Sequence, residues 1–234
     1  MIDGFVSAII LAGGTGSRMN SQIKKQMITI DGHSVLWYAV SAFESVSSVG
    51  EIIVVSHSED IQLVKNELLS INKPVKVVLG GKTRAESARN GFEAVSEFAR
   101  FVAIHDAARC LITPEEIESV IEIAVQHGAA SAVMPVSDTV KEVDEQGRIK
   151  ATIPRENLRR AATPQIFLKD LYKLALDNSD VEDMTLTDDN ILLERIGVDV
   201  YTVNTSCDNI KITTSEDLDI ASAILKKRRC NVND

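Results

Sequence analysis

The sequence predicts an α/β protein whose mostly parallel sheet carries helices on both faces. Three observations lead there. Short apolar runs rich in Val and Ile, of strand length, alternate with longer segments of helical pattern. The first run opens directly onto glycines, as a strand does where it turns toward a helix. At 234 residues, 44% of them hydrophobic, the chain is long enough to bury a sizeable core in one domain.

Residues 6–12 form an apolar run broken only by Ser7, which predicts a strand buried on both faces. Gly13, Gly14 and Gly16 follow, then Arg18, Lys24 and Lys25. Residues 28–30 are briefly apolar, Asp31-Gly32 turns, and a helix is expected over 34–44. A strand at 52–55 and a helix over 59–69 come next, then a strand at 74–79 that ends on Gly80-Gly81. The pattern over 85–99 is helical, and 101–104 is a strand running into His105-Asp106. Thr113-Pro114-Glu115-Glu116 carries a capping Thr, a Pro at the first helical position and early acids, so a helix starts there. Residues 129–135 give a fifth strand.

The rhythm breaks over 136–158. Residues 139–143 and 148–153 alternate around a turn-like 144–147, which predicts a hairpin polar on both sides. Such a hairpin is either a solvated flap or an arm that reaches a second subunit. Helices over 168–176 and 188–195, a strand at 198–203, the segment 209–213 and a helix from Ser215 complete the chain. Repeats, low-complexity tracts and linkers are absent, so the expectation is one domain over 1–234 with an arm at about 137–158.

A net charge of −9 argues against a general polyanion-binding surface, so nucleic acid is not an expected partner. No stretch has signal-peptide order or the ~20-residue apolar length of a membrane span, so no membrane association is expected. Cys110, Cys207 and Cys230 are odd in number and lack metal-ligand spacing, so neither a disulfide framework nor a zinc site is expected. A cytoplasmic setting follows as the expectation. The run Lys226 to Arg229 reads as a solvated helix end whose charge suits the dipole.

In open α/β sheets ligands bind beyond the carboxyl ends of the strands. Those ends gather the loop from Gly13 to Lys25, Gly80 to Ser87, Asp106 to Arg109, Ser137 to Lys141, Thr163 to Gln165 and Asp208 to Lys211. Glycine amides at a strand end form an anion cradle, and Arg18 and Lys25 add the full charges that a triphosphate needs. A tight turn with solvated cations is the plainer alternative. A Walker A loop is excluded, because no Gly-Lys-Ser/Thr follows Gly16 at its spacing, and a dinucleotide fingerprint is excluded by Met19. Asp106 could hold a divalent cation through a carboxylate oxygen while phosphates supply the other ligands. The four histidines pair with no nucleophile and read as structural or surface residues. Cations, amides and one or two metal-competent acids suit phosphoryl or nucleotidyl transfer, where positioning and charge stabilisation do most of the catalysis.

Seven segments, LAGGTGSRM with Lys25-Gln26, GGKTRAES, HDAAR, SDTVK, ATPQIF, LTDDNILLE and DNIKIT, together resemble the 2-C-methyl-D-erythritol 4-phosphate cytidylyltransferase family. They occur in that family's order from Leu11 to Thr213. The ribitol 5-phosphate cytidylyltransferases share the AGG, TPQ and NIK segments, but TLTDDNILLE and HDAAR look more like the methylerythritol family. The resemblance implies a Rossmann-like nucleotidyltransferase fold, a homodimer joined through the β-arm, and CMP transfer from CTP to a polyol phosphate. It implies that Ala12, Gly13, Gly14, Thr15 and Gly16 wrap the triphosphate, while Gly81, Arg84 and Ser87 frame cytosine and ribose. Asp106 would sit beside Mg²⁺ or another divalent cation and near the acceptor. Arg18, Lys25 and Lys211 would act as catalytic cations at the α-phosphate. Arg109, Thr139, Thr163 and Thr187, with Arg155 from a partner's arm, would hold the acceptor. Lys24 and Cys110 stand where the family usually has Pro, and Lys82 where an acid is common.

Overall fold

The computed structural model describes residues 4–14, 24–183 and 185–232. Thr15, Gly16 and Arg18 lie outside the described residues. The main sheet has seven strands: Phe5–Leu11 (β1), Val49–Ser56 (β4), Val75–Leu79 (β5), Ala99–Asp106 (β6), Ala129–Pro135 (β7), Arg159–Leu168 (β10) and Tyr201–Asn204 (β11). Their spatial order is β11-β7-β10-β6-β1-β4-β5. Two short ribbons accompany it, Thr29–Ile30 with His33–Ser34 (β2, β3), and Val140–Val143 with Ile149–Ile153 (β8, β9). The second is the hairpin expected from the alternating sequence.

Side chains of β1 alternate between two cores, as a strand covered on both sides must. Val6, Ala8 and Ile10 pack with Val35–Glu44 (α1), Ile61–Glu67 (α2) and Pro114–His127 (α4). Ile9 faces Arg84–Glu93 (α3), Lys169–Asp177 (α5) and Asn190–Arg195 (α6) on the other face. Gly91 of α3 is required by this packing, because a Cβ there would stand 2.5 Å from Ile9 Cγ2. The start of α4 carries the Thr113 cap and Pro114 that the sequence predicts and adds a full capping box with Glu116, while Gly128 at φ +88° closes the helix. Ser34 caps α1 by accepting from the Trp37 N–H at 3.0 Å. Among the described residues no helix is long and apolar enough to cross a membrane.

The structure corrects several boundaries. The helix expected over 85–99 stops at Glu93, and Ala99 already belongs to β6. The helix expected over 59–69 is the shorter α2, preceded by a single tight turn at Ser58–Asp60. The strand expected at 198–203 begins at Tyr201. The largest miss is β10, a central strand running antiparallel to both β6 and β7. Pro164 and the small residues before it hide its pattern, and its pairing with β7 shifts register between Ala161 and Gln165 to accommodate them. Thr163 to Gln165 therefore lie within a strand, not beyond the end of one.

The helix Ser215–Val232 (α7) packs over β2, Cys110, Leu111 and Ile212. Its basic end is more than a solvated tail. Arg228 donates to the Leu111 carbonyl at 2.8 Å, and Arg229 bonds the Asp31 carbonyl and carboxylate at 2.8 and 3.0 Å. The sequence pattern could not show these acceptors, which stand more than a hundred residues away along the chain.

Candidate active site

The chain runs β1, β4, β5 toward one edge and then returns to lay β6 on the other side of β1. The crevice beyond β1 and β6 is thus the switch point where such sheets bind ligands. Leu11 and Asp106 are register partners there, so the glycine loop and the acid leave the sheet side by side. A cleft of about 340 Å³ opens at this point, within the size range of small-ligand sites. Ala12, Gly13, Gly14, Lys25, Gly81, Arg84, Ser87, Asp106 and Lys211 all line it.

Each wall is fixed locally. Gln26, buried, donates to the Ala12 carbonyl at 2.8 Å and ties the helical turn Lys25–Met27 to the end of β1. Lys24 is anchored as well, its Nζ 2.7 Å from Asp60 Oδ2. Its φ of −62° is one that proline would hold, so the ion pair steadies a backbone that a ring could have fixed. A Cβ on Gly13 would meet no described atom within 4 Å. Gly81 is different: a Cβ there would stand 2.3 Å from Glu86 Cγ. Thr83 caps α3, Glu86 accepts from the Lys82 N–H at 2.5 Å, and Ser87 Oγ accepts from the Gly81 N–H at 3.0 Å. The second glycine turn is therefore preformed.

Charge is concentrated at Asp106, which is 8% exposed. Its Oδ2 accepts from Lys211 Nζ at 2.6 Å, and its Oδ1 lies 3.5 Å from Arg84 Nε. Burial opposes ionisation, but Arg84 and Lys211 outweigh it and hold the carboxyl well below the usual carboxylate range. Asp106 is therefore an anion at any working pH. Arg84 also reaches Asp189 Oδ2 at 2.5 Å. Burial works against its charge, yet Asp189 and then Asp106 raise its pKa above the ordinary value. Lys25 Nζ donates to the Ile212 carbonyl at 3.3 Å, which brings it alongside the segment that bears Lys211.

The residues tied by resemblance to an acceptor do not all gather here. Thr163 is buried behind the cleft, where its Oγ1 accepts from the Asp106 N–H at 3.1 Å and meets His105 Nδ1 at 3.0 Å. Arg109 is buried too, donating to the carbonyls of Asn209 at 2.8 Å and Ala161 at 3.1 Å. Thr139 and Thr187 are exposed and outside the cleft lining. Arg155 is exposed at the base of the hairpin, donating to the Ser137 carbonyl. Tyr172, Gln165 and Asp189, all buried, have no individual role in the sequence reading; their contacts join separate segments of the chain.

An Mg²⁺ ion takes hard oxygens and characteristically binds through one or two carboxylates plus substrate phosphates. Asp106, ionised and at the cleft, fits that donor chemistry. Among the described residues no group of three or more acids, histidines or cysteines forms an all-protein metal cage.

What surrounds the cleft is an arrangement for steadying phosphates, with the bond-making left to the substrates, and the class it defines is the nucleotidyltransferases. The family description "IspD: 2-C-methyl-D-erythritol 4-phosphate cytidylyltransferase" matches residues 6–227, and the chain belongs to that family. A relative of that name from Caldanaerobacter subterraneus subsp. tengcongensis is 40% identical over 95% of this chain and 99% of its own. One from Alkaliphilus oremlandii is 38% identical over 95% and 96%. Among solved structures, the 4-diphosphocytidyl-2C-methyl-D-erythritol synthase of Anaerococcus prevotii superposes with a TM-score of 0.86 at 29% identity, covering 96% of this chain and all of that one. The activity is transfer of CMP from CTP to 2-C-methyl-D-erythritol 4-phosphate, releasing pyrophosphate, and the matches favour this acceptor over ribitol phosphate.

Proposed function

We propose that this cytidylyl transfer takes place at the β1/β6 cleft, by direct attack of the acceptor phosphate oxygen on the α-phosphorus of CTP. The observation that carries this reading is the convergence of Lys25, Lys211 and Arg84 around Asp106 at the switch point. The P–O bond to pyrophosphate breaks as the P–O bond to the acceptor forms, and both flanking groups are anionic. Fixed cations beside the α-phosphate relieve a repulsion that grows toward the transition state, so they lower the barrier rather than merely tighten binding. Lys25 and Lys211 are assigned this work, together with Arg18. Ala12 to Gly16 receive the triphosphate, and Gly81, Arg84 and Ser87 the nucleoside.

Asp106 is the residue that would hold Mg²⁺ with the triphosphate oxygens. When bound, the ion neutralises phosphate charge and orients the leaving group.

The acceptor side is proposed to be completed in a homodimer. Thr139 and Arg155 belong to a hairpin whose Val143 and Ile149 are exposed apolar residues, which favours burial against a second copy. Arg109, Thr163 and Thr187 are assigned to the same acceptor side. Buried in place, Arg109 and Thr163 would act by shaping its floor. Three free thiols, with Cys110 buried and pushed up to about 12 by that burial, favour a reducing compartment, the cytoplasm.

Pyrophosphate release with CTP and Mg²⁺ tests the reading, with methylerythritol phosphate and ribitol phosphate offered in parallel. Release with the first alone is expected. Release with ribitol phosphate alone, or CTP binding with no release from either, would overturn it.

A further inference from the structure

We propose that Asp189 is a positioning residue for the nucleotide: from beneath the cleft it fixes the Arg84 guanidinium, with Tyr172 and Gln165 fixing Asp189 in turn. The inference rests on the reading that Arg84 contacts CTP and extends it to residues that no role yet covers.

Asp189 is 1% exposed, so its carboxylate has little water to turn to. Its two oxygens are divided between two partners. Oδ2 takes Arg84 Nη1 at 2.5 Å, and Oδ1 takes the phenolic O–H of Tyr172 at 2.7 Å. Its backbone N–H donates to Gln165 Oε1 at 2.9 Å, and Gln165 Nε2 donates to Asp188 Oδ2 at 3.1 Å. Gln165 sits on the central strand β10 and is fully buried, as is Tyr172 on α5. Arg84 of α3 and Tyr172 of α5 thus meet on one carboxylate, Gln165 of β10 holds the backbone beside it, and Arg84 lines the cleft.

The arrangement answers a problem that Arg84 would otherwise pose. A loose guanidinium beside Asp106 would swing onto it as a bidentate pair. Asp189 holds Nη1 instead and leaves Nε 3.5 Å from Asp106 Oδ1, at the distance of a loose ion pair. Arg84 is thereby held in one orientation, its charge already balanced by Asp189. Ordering the side chain before the ligand arrives removes a cost that binding would otherwise carry.

Calorimetric CTP binding, with Mg²⁺ and without acceptor, tests this on Asp189→Asn, Arg84→Ala and the double variant. Asp189→Asn is expected to weaken CTP roughly tenfold or more, the scale of one charge-assisted hydrogen bond. In the Arg84→Ala background the same change should cost about threefold or less, because it acts through the arginine. In turnover, KM for CTP should rise while KM for the acceptor stays unchanged, a split that general loosening would not produce. Tyr172→Phe, which keeps the ring and removes one donor, serves if Asp189→Asn fails to fold, and should weaken CTP by roughly threefold, a loss within that of one neutral hydrogen bond. Unchanged CTP affinity in Asp189→Asn or in Tyr172→Phe, or a full tenfold loss in the Arg84→Ala background, overturns the inference. Unchanged affinity in Arg84→Ala alone instead overturns the reading of Arg84 on which it stands.

Discussion

The two halves of the candidate site are built differently. The half proposed for the nucleotide is assembled from strand ends and a capped helix start, and its polar groups are mutually bonded: buried Gln26 on Ala12, buried Ser87 on Gly81, and the more exposed Lys211 on buried Asp106. The acceptor half splits in two. Arg109 and Thr163 are locked into the interior, while Thr139, Arg155 and Thr187 stand exposed on the arm and a surface turn. One folded chain is enough to preorganise the cations that are proposed to hold phosphate. That contrast is what the proposed site shared between two copies would produce.

The largest expected effect breaks the nucleotide half. Lys25→Ala and Lys211→Ala should each lower kcat by roughly 10²-fold or more, the scale of losing one preorganised charge donor. Steady-state kinetics at saturating substrates measures it, and a drop below about threefold would remove that lysine from the catalytic group. Arg155→Ala should act on the other half alone, raising KM for the acceptor by roughly tenfold at little change in KM for CTP, as loss of one charged hydrogen bond would. Mixing it with Lys25→Ala protomers should restore part of the activity if the arm serves the neighbouring subunit, and an additive result would refute sharing.

The smallest effect concerns stability, and it sharpens the comparison by showing how dry the locked interior part of the acceptor side is. His105 is fully buried against Thr163 and the Arg109 carbonyl, and burial pushes its pKa down to about 4. The unfolded chain binds that proton near pH 6.5 and the folded chain does not, so stability falls as pH drops from 6.5 toward 4. Relative to His105→Asn, the protein should lose about 2 kcal/mol between pH 7 and pH 5 in urea unfolding. Equal slopes would show that water or a proton reaches His105 in the folded state.

Much of this was legible in residue order because it is local. The strand β1, the Thr113-Pro114 start of α4 and the hairpin around residues 144–147 are written in neighbouring positions. The glycine turns and Asp106 could be placed at strand ends for the same reason. The strand β10 was hidden because Pro164 and Ala161-Ala162-Thr163 break the alternation that marks a strand, and only pairing with two neighbours makes it one. Asp189 was missed as a partner of Arg84 because the two are separated by 105 positions. A carboxylate reads the same in a sequence whether it faces water or a guanidinium. The basic end of α7 was misread likewise, its acceptors being supplied by distant turns.

The antiparallel course of β10 has an architectural consequence. Pro135 at the end of β7 is paired with Arg159 at the start of β10, so the chain leaves and re-enters the sheet at adjacent positions. Everything between them hangs from a doorway that is already closed by sheet hydrogen bonds. The hairpin is therefore a detachable module: it can be lengthened, recoded or replaced by a tight turn without re-threading the core. Selection and protein engineers alike can rewrite what this arm presents while leaving the β1/β6 cleft as it is.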